Sequence, residues 1–277
     1  MSTSFDIMKM VISMNLIISD ADKTLLPAFE PNLSEEVVGV INETRKKDKF
    51  CLSTGRVLGN VYHMNQKYDF LDYIIASNGS VIYDVKSKTV IAHKEIPRDY
   101  VNKIIELTQN KFYKFNLCTL TNWYRCENRS DDVLFAETKK IDNLYDVSNK
   151  EKVYKCEIYY DDMNDLITLY KELTALNLPL EFSIMESKEE NHYIDITSKG
   201  INKSNAVKFL KNLIQAEKTI AFGDHMNDFE MLKNADISVS VANAVEALKA
   251  NSTYVTDSVE NNGVTNWLKN HYLNQSI

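Results

Sequence analysis

Two aspartates separated by one residue, Asp20 and Asp22, with Thr24 two positions on, directly follow the apolar run Leu16-Ile17-Ile18. An apolar β-prone run of that kind is the mark of a strand buried on both faces, and the C-terminal edge of a parallel sheet is where ligands collect. Carboxylates held there can bind a hard cation, attack an electrophile or move protons. An Asp after an apolar run also serves to cap a helix or make a turn, so the pair alone leaves both readings open. Three distant segments bear on the choice. Ser53-Thr54-Gly55-Arg56 follows the strand-like Phe50-Cys51-Leu52, Lys203 opens a helix, and Gly223-Asp224-His225-Met226-Asn227-Asp228 follows the apolar Thr219-Ile220-Ala221-Phe222.

The intervening pattern supplies elements to position them. After the opening strand, Ser34 or Asn32 caps a helix running to about Lys47, with Val37, Val40 and Ile41 on one face and Arg45-Lys46-Lys47 as solvated partners of its negative end. Strand, loop and helix then repeat through Tyr73-Ile74-Ile75-Ala76, which stops at Ser77-Asn78-Gly79. That alternation predicts an α/β fold with a Rossmann-like parallel sheet. From Val81 to about Ile196 the strands come in neighbouring pairs with two helices between them, predicting an inserted α+β unit with an antiparallel sheet. Alternation resumes at Lys203. The expected division is a discontinuous core, 1–82 plus 197–277, and an insert, 83–196. Residues 1–13 read as a short extension before the first strand, with Met14 as an alternative start; a signal peptide or membrane span is not expected there.

Composition narrows the function classes. The chain has 277 residues and a formal net charge of −7, which argues against the broad basic surface that nucleic-acid binding requires. Its four cysteines, Cys51, Cys118, Cys126 and Cys156, form no C-x-x-C pair and read as free thiols in a cytoplasmic protein. There is no G-x-x-x-x-G-K-[ST] phosphate loop, no H-E-x-x-H and no G-x-S-x-G elbow, and the seven glycines fit a Gly-rich nucleotide fold poorly.

Taken in order, Asp20-Ala21-Asp22-Lys23-Thr24, Thr54, Lys203 and Gly223-Asp224-His225-Met226-Asn227-Asp228 resemble the four motifs of the haloacid dehalogenase-like (HAD) phosphohydrolases: D-x-D-x-T, a Ser or Thr, a Lys, and G-D-x-x-N-D. The placement of the insert is similar to the Cof-type branch with its C2-type cap. The resemblance spans nearly the whole chain. It implies a Mg²⁺-dependent phosphatase in which Asp20 is the nucleophile and becomes an aspartyl-phosphate, while Asp22 protonates the leaving oxygen and its carbonyl completes the metal site. Asp20 and Asp224 would hold the metal, with Asn227 and Asp228 supporting it. Thr54 and Lys203 would hold the phosphoryl oxygens; by themselves these two residues read equally as a helix cap and a solvated lysine. Gly55, Arg56 and Asn78 are further substrate-side candidates, although Arg56 also suits a loop end and Asn78-Gly79 a plain turn. Lys23 occupies a position that is most often Gly in the family, which opens the shape of the adjoining turn to question.

The expected substrate is a small phosphorylated metabolite, with sugar phosphates leading, and the expected assembly a monomer or homodimer with neither nucleic acid nor membrane as partner. A sugar-phosphate mutase and a catalytically idle metabolite-binding protein are the alternatives. The cap is expected to set specificity; of its residues Tyr113, Trp123, Tyr124 and Arg125, packing against helices explains the aromatics as well as substrate contact does.

Overall fold

The computed structural model describes residues 13–27, 32–108, 111–112, 114–127, 137–185 and 192–274. The first part runs β1 (Leu16–Ser19), α1 (Glu35–Thr44), β2 (Lys49–Ser53), α2 (Leu58–Tyr68), β3 (Tyr73–Ala76), β4 (Val81–Asp84) and β5 (Thr89–His93). The second contains α3 (Arg98–Thr108), β6 (Lys114–Cys118), β7 (Trp123–Glu127), β8 (Thr138–Lys140), α4 (Tyr145–Ser148), β9 (Lys155–Tyr160), α5 (Met163–Ala175), β10 (Leu180–Met185) and β11 (His192–Ser198). The chain then returns through α6 (Lys203–Ile214), β12 (Thr219–Gly223), α7 (Phe229–Lys233), β13 (Ile237–Ser240), α8 (Glu246–Lys249), β14 (Tyr254–Val255) and α9 (Gly263–Trp267), which continues as a π-helical stretch, Leu268–Leu273.

The strands form two sheets. The larger has the order β14-β13-β12-β1-β2-β3-β4-β5, parallel from β14 to β3 and antiparallel at β4 and β5. Its middle strand β1 is apolar through Ile18 because both faces are covered: Leu16, Ile17 and Ile18 are fully buried. Burial of each such side chain contributes about 1.5–3 kcal/mol. Register then brings the motifs together. Ser19 lies opposite both Leu52 of β2 and Phe222 of β12, so the three strands end level and Asp20, Thr54 and Asp224 emerge on one edge. This is the α/β parallel-sheet core with an inserted α+β cap that the pattern predicts.

The smaller sheet has the order β10-β11-β9-β6-β7-β8. Its strands are antiparallel except for β7 and β8, which run parallel, a departure from the wholly antiparallel sheet expected, and side chains alternate between its two faces. Phe115, Leu117, Cys156, Ile158, Ile194 and Ile196 pack with Ile104, Leu166 and Leu173 of α3 and α5 in a core separate from that of the larger sheet. The opposite face is turned to the first sheet's C-terminal edge. There the backbone of α2 at Gly59 meets the Thr121 carbonyl so closely that a Cβ on Gly59 would collide with it. Ser80 Oγ donates to the Tyr154 carbonyl at 2.8 Å across the same junction.

The boundaries differ from the expected ones. Val90 to His93, placed in the insert from sequence, belongs to β5 and extends the larger sheet, while Thr197 and Ser198 still pair with β10 in the smaller one. A hairpin has the same local pattern whichever sheet it joins, so sequence places the pairing but not the sheet. Helix α1 ends at Thr44 rather than near Lys47, with Ser34 as its cap, accepting from Val37 N at 3.3 Å. Arg45 is not simply a solvated dipole partner: it bridges Asp72 at 3.1 Å and donates to the Asp69 and Leu71 carbonyls. Cys51, Cys118 and Cys156 are buried free thiols, and Cys126 is free and half-buried. Residues 1–12 and Tyr113 lie outside the described residues, and so do the readings that fall on them.

Candidate active site

Three carboxylates, Asp20, Asp224 and Asp228, each offer an oxygen within 4.8 Å of the others, all buried. Such a cluster is untenable without positive charge, and Lys203 supplies it. This lysine is 2% exposed, and its Nζ lies 2.5 Å from Asp20 Oδ1 and 2.7 Å from Asp228 Oδ1. Asn202 accepts from Asn205 N at 2.8 Å and caps α6, so Lys203 enters the site from the first residue of a firmly started helix. Burial pushes the Lys203 ammonium toward the neutral form, but Asp20 and Asp228 outweigh it and hold its pKa above the ordinary value. The solvated-lysine reading is therefore replaced by a buried ion cluster.

The carboxylates respond in the opposite sense. Burial first, then the charges of Asp228 and Asp224, raise the Asp20 pKa well above the usual range despite Lys203. Asp224 rises to about 7, chiefly through burial and next through Asp228, while the hydrogen bond from Thr24 Oγ1 at 2.9 Å opposes the rise. One lysine thus leaves the cluster short of positive charge. Hard carboxylate oxygens converging at this spacing fit a divalent cation, and Asp20, Asp224 and Asp228 are the side chains placed to hold it. Asp228 also accepts from the backbone N–H groups of Asp224 at 3.1 Å and His225 at 3.3 Å, which fixes the loop after β12. Asn227 sits half-exposed on the same short turn, Met226–Asp228.

The remaining predicted residues divide. Thr54 is 1% exposed, and its Oγ1 accepts from Arg56 N at 3.1 Å. The residue preceding α2 is Val57 and makes no side-chain cap, so Thr54 is not a helix cap. Arg56 is turned toward Asp22 rather than a solvent-borne anion: Nε lies 2.8 Å from Oδ2 and Nη2 2.5 Å from Oδ1, a bidentate fork. Asn78, in the left-handed region at φ 55°, donates to Asp195 Oδ2 of the cap at 2.8 Å, so it is a contact across the junction as well as a turn. A Cβ on Gly55 would lie 3.4 Å from Lys155 Nζ of the cap. Lys23 adopts φ 62°, the conformation a glycine takes without strain, and the turn closes with Lys23 N donating to the Leu26 carbonyl at 2.7 Å.

Sequence reasoning missed the cap's contribution. Lys114, Asn116, Lys155, Glu157 and Asp195 project from the face of the smaller sheet opposite its helices, and all are buried. Lys155 Nζ is 2.5 Å from Glu157 and 3.4 Å from Asp195, and Asn116 Nδ2 donates to Glu157 at 2.7 Å. Burial opposes the Lys155 charge, yet Asp195 and Glu157 raise its pKa, while burial lifts Asp195 to about 6. The available signal was alternation of polar and apolar residues in 114–118 and 155–159, which ordinarily indicates a strand with one wet face. Of the cap residues singled out, Trp123 packs with Val57 and Cys118, and Arg125 donates to Asn116 at 3.2 Å. Tyr124 donates to Glu151 at 2.5 Å.

The chain is similar to known proteins over nearly its whole length. A Bacillus subtilis 5-amino-6-(5-phospho-D-ribitylamino)uracil phosphatase is 27% identical over 265 residues, 95% of this chain and 97% of the relative. A phosphoglycolate phosphatase from Sulfurisphaera tokodaii is 27% identical over 258 residues, covering 92% of both chains. Among solved structures, a haloacid dehalogenase-like hydrolase from B. subtilis superposes with a TM-score of 0.79 at 20% identity, covering 93% of this chain and 100% of the other. The haloacid dehalogenase-like hydrolase family model matches residues 17–268, so the chain belongs to that family and is a phosphatase of phosphoric monoesters.

Proposed function

We propose that the chain is a cytoplasmic, Mg²⁺-dependent phosphatase that hydrolyses a small phosphorylated metabolite, with sugar and sugar-alcohol phosphates leading, through an aspartyl-phosphate on Asp20. The observation that carries this reading is the buried cluster of Asp20, Asp224 and Asp228 around Lys203. Its support from relatives is that both curated proteins above are named for phosphates of small molecules.

Asp20, Asp224 and Asp228 would hold the ion, with Asn227 and the Asp22 carbonyl as further ligand candidates; when bound, it neutralises phosphoryl charge. Lys203 pulls the Asp20 pKa down against the burial that raises it, and so favours the ionised form a nucleophile needs. An oxygen of Asp20 attacks phosphorus, the ester P–O bond breaks, and the departing oxygen takes a proton from Asp22. Water then attacks the aspartyl-phosphate and gives a proton back to Asp22, releasing phosphate and restoring Asp20. Thr54 and Lys203 steady the phosphoryl oxygens, the Gly55 and Asn78 backbone borders the substrate, and the closed cap excludes water from the first step.

The test is phosphate release from a panel of phosphorylated metabolites and an aryl phosphate. Wild-type enzyme releases phosphate, chelation stops it reversibly, and Asp20→Asn abolishes it. Substantial turnover by purified Asp20→Asn sinks the nucleophile assignment, and conversion of a hexose 1-phosphate to its 6-phosphate without net phosphate would indicate a mutase.

A further inference from the structure

The Asp22–Arg56 fork continues beyond the catalytic loop. Arg56 is 4% exposed, and its third nitrogen, Nη1, donates to Asn60 Oδ1 at 2.8 Å. Asn60 lies on α2, and its Nδ2 donates to Glu137 Oε2 at 2.8 Å. The other Glu137 oxygen meets His63 Nδ1 at 2.9 Å. Glu137 belongs to the cap, is 7% exposed, and its carbonyl accepts from Trp123 N at 3.1 Å, which ties it to the smaller sheet. An unbroken set of hydrogen bonds therefore joins the cap to the side chain of Asp22.

Asp22 needs such help. Its side chain is 32% exposed and stands beside the left-handed Lys23, on a turn rather than in a strand. A short carboxylate so placed has several rotamers, and proton transfer demands one of them. The fork fixes the carboxylate plane through two directed hydrogen bonds. Asn60 fixes the guanidinium in turn, because its carbonyl oxygen can face Arg56 only while its amide faces an acceptor. Glu137 is that acceptor, and it is supplied by the cap.

We propose that Glu137 is a positioning residue which sets Asp22 for proton transfer through Asn60 and Arg56, so that the acid–base group is fully placed only under a closed cap. This rests on the assignment of Asp22 as proton donor. A departing phenolate, with a pKa of about 10, needs a proton from the enzyme, whereas p-nitrophenolate leaves largely unaided. The experiment compares kcat/KM for phenyl phosphate and p-nitrophenyl phosphate in the Mg²⁺-loaded full chain. Misplacing the acid should lower the phenyl value about tenfold in Glu137→Ala and the p-nitrophenyl value less than about twofold. Glu137→Gln, which keeps an acceptor for Asn60, should recover most of the loss, and Asn60→Ala should reproduce the split if Glu137→Ala folds poorly.

Equal losses on the two substrates, or none, in both Glu137→Ala and Asn60→Ala overturn the proposal. Asp22→Asn separates this from the underlying reading. If it shows the split and the relay variants do not, the relay alone is wrong; if it shows no split, the proton-donor assignment falls and the relay falls with it.

Discussion

Replacing Lys203 by methionine keeps an unbranched four-atom stem and removes the terminal ammonium, so it isolates what that charge does for the fold. In the native protein the ammonium is 2% exposed and lies 2.5 Å and 2.7 Å from two buried carboxylates, with Asp224 beside them. Removing one partner of a buried ion pair costs about 3–5 kcal/mol, because the charge left behind has neither water nor counter-ion. The stranded carboxylates escape part of that cost by binding protons. Asp20 and Asp224 already have raised pKa values, and loss of Lys203 raises them further. The folded mutant then holds protons that the unfolded chain has released, and stability falls with rising pH wherever the folded state binds more protons. The raised pKa of Lys203 itself contributes stability that is intact below its unfolded value of about 10.5 and is lost only as pH rises past it, so it does not titrate in the experiment. Urea unfolding in chelator should show Lys203→Met less stable than wild type by about 3–5 kcal/mol at neutral pH. The gap should narrow toward about pH 5 and shrink when saturating Mg²⁺ replaces the chelator, because protons and cation relieve the same carboxylates. A gap below about 1 kcal/mol at neutral pH, or one that widens on acidification, would refute the buried-cluster argument.

Gly223→Ala should act on the same cluster through sterics. A Cβ there would sit 2.6 Å from Asp228 Cβ and 2.8 Å from its Cγ, forcing Asp228 away from Lys203 and the Asp224 amide. A loss of about 1–3 kcal/mol on urea unfolding, with phosphatase activity falling in step, is the expected result, and wild-type values on both would show that the loop yields freely. At Lys23 the left-handed backbone predicts that Lys23→Gly stays within about 1 kcal/mol of wild type, since relief of strain offsets the added freedom of the unfolded chain. Lys23→Val should cost about 2 kcal/mol in the same assay, and equal stability of the two variants would remove the backbone explanation.

The candidate catalytic edge was legible because it depends on short-range pattern. Asp20 and Asp224 each follow an apolar run that can only be a doubly covered strand, and parallel register then aligns their ends. Lys203 was legible in position but not in state: the sequence shows a lysine at a helix start, and only the packing of α6 against the sheet edge makes it fully buried. The same limit applies to Arg56, whose partner Asp22 is 34 residues away in sequence. The polar face of the cap was hidden for a different reason. Alternating residues such as Lys155, Cys156, Glu157 and Ile158 specify two faces, but whether the polar one meets water or another domain is decided by tertiary placement. Strand β5 was assigned to the wrong side of the division because a hairpin's pairing is local and its sheet membership is not.

Lys23 connects the local and the tertiary explanations. Judged by backbone alone it is a poor choice, since a side chain at φ 62° costs about 1–2 kcal/mol that glycine would avoid. The turn nevertheless keeps its form, held by the Leu26 carbonyl on one side and by Asn243 Nδ2, which donates to the Lys23 carbonyl at 2.7 Å, on the other. The residue also adds what glycine cannot. Its charge acts on Asp224, lowering a pKa that burial and Asp228 drive up to about 7. A cluster with three acids and one buried lysine is short of positive charge, and a half-buried cation on the adjoining turn reduces that deficit while leaving the interior lysine in place. The departure from glycine thus trades backbone strain for electrostatic support of Asp224, a carboxylate proposed above to hold the cation.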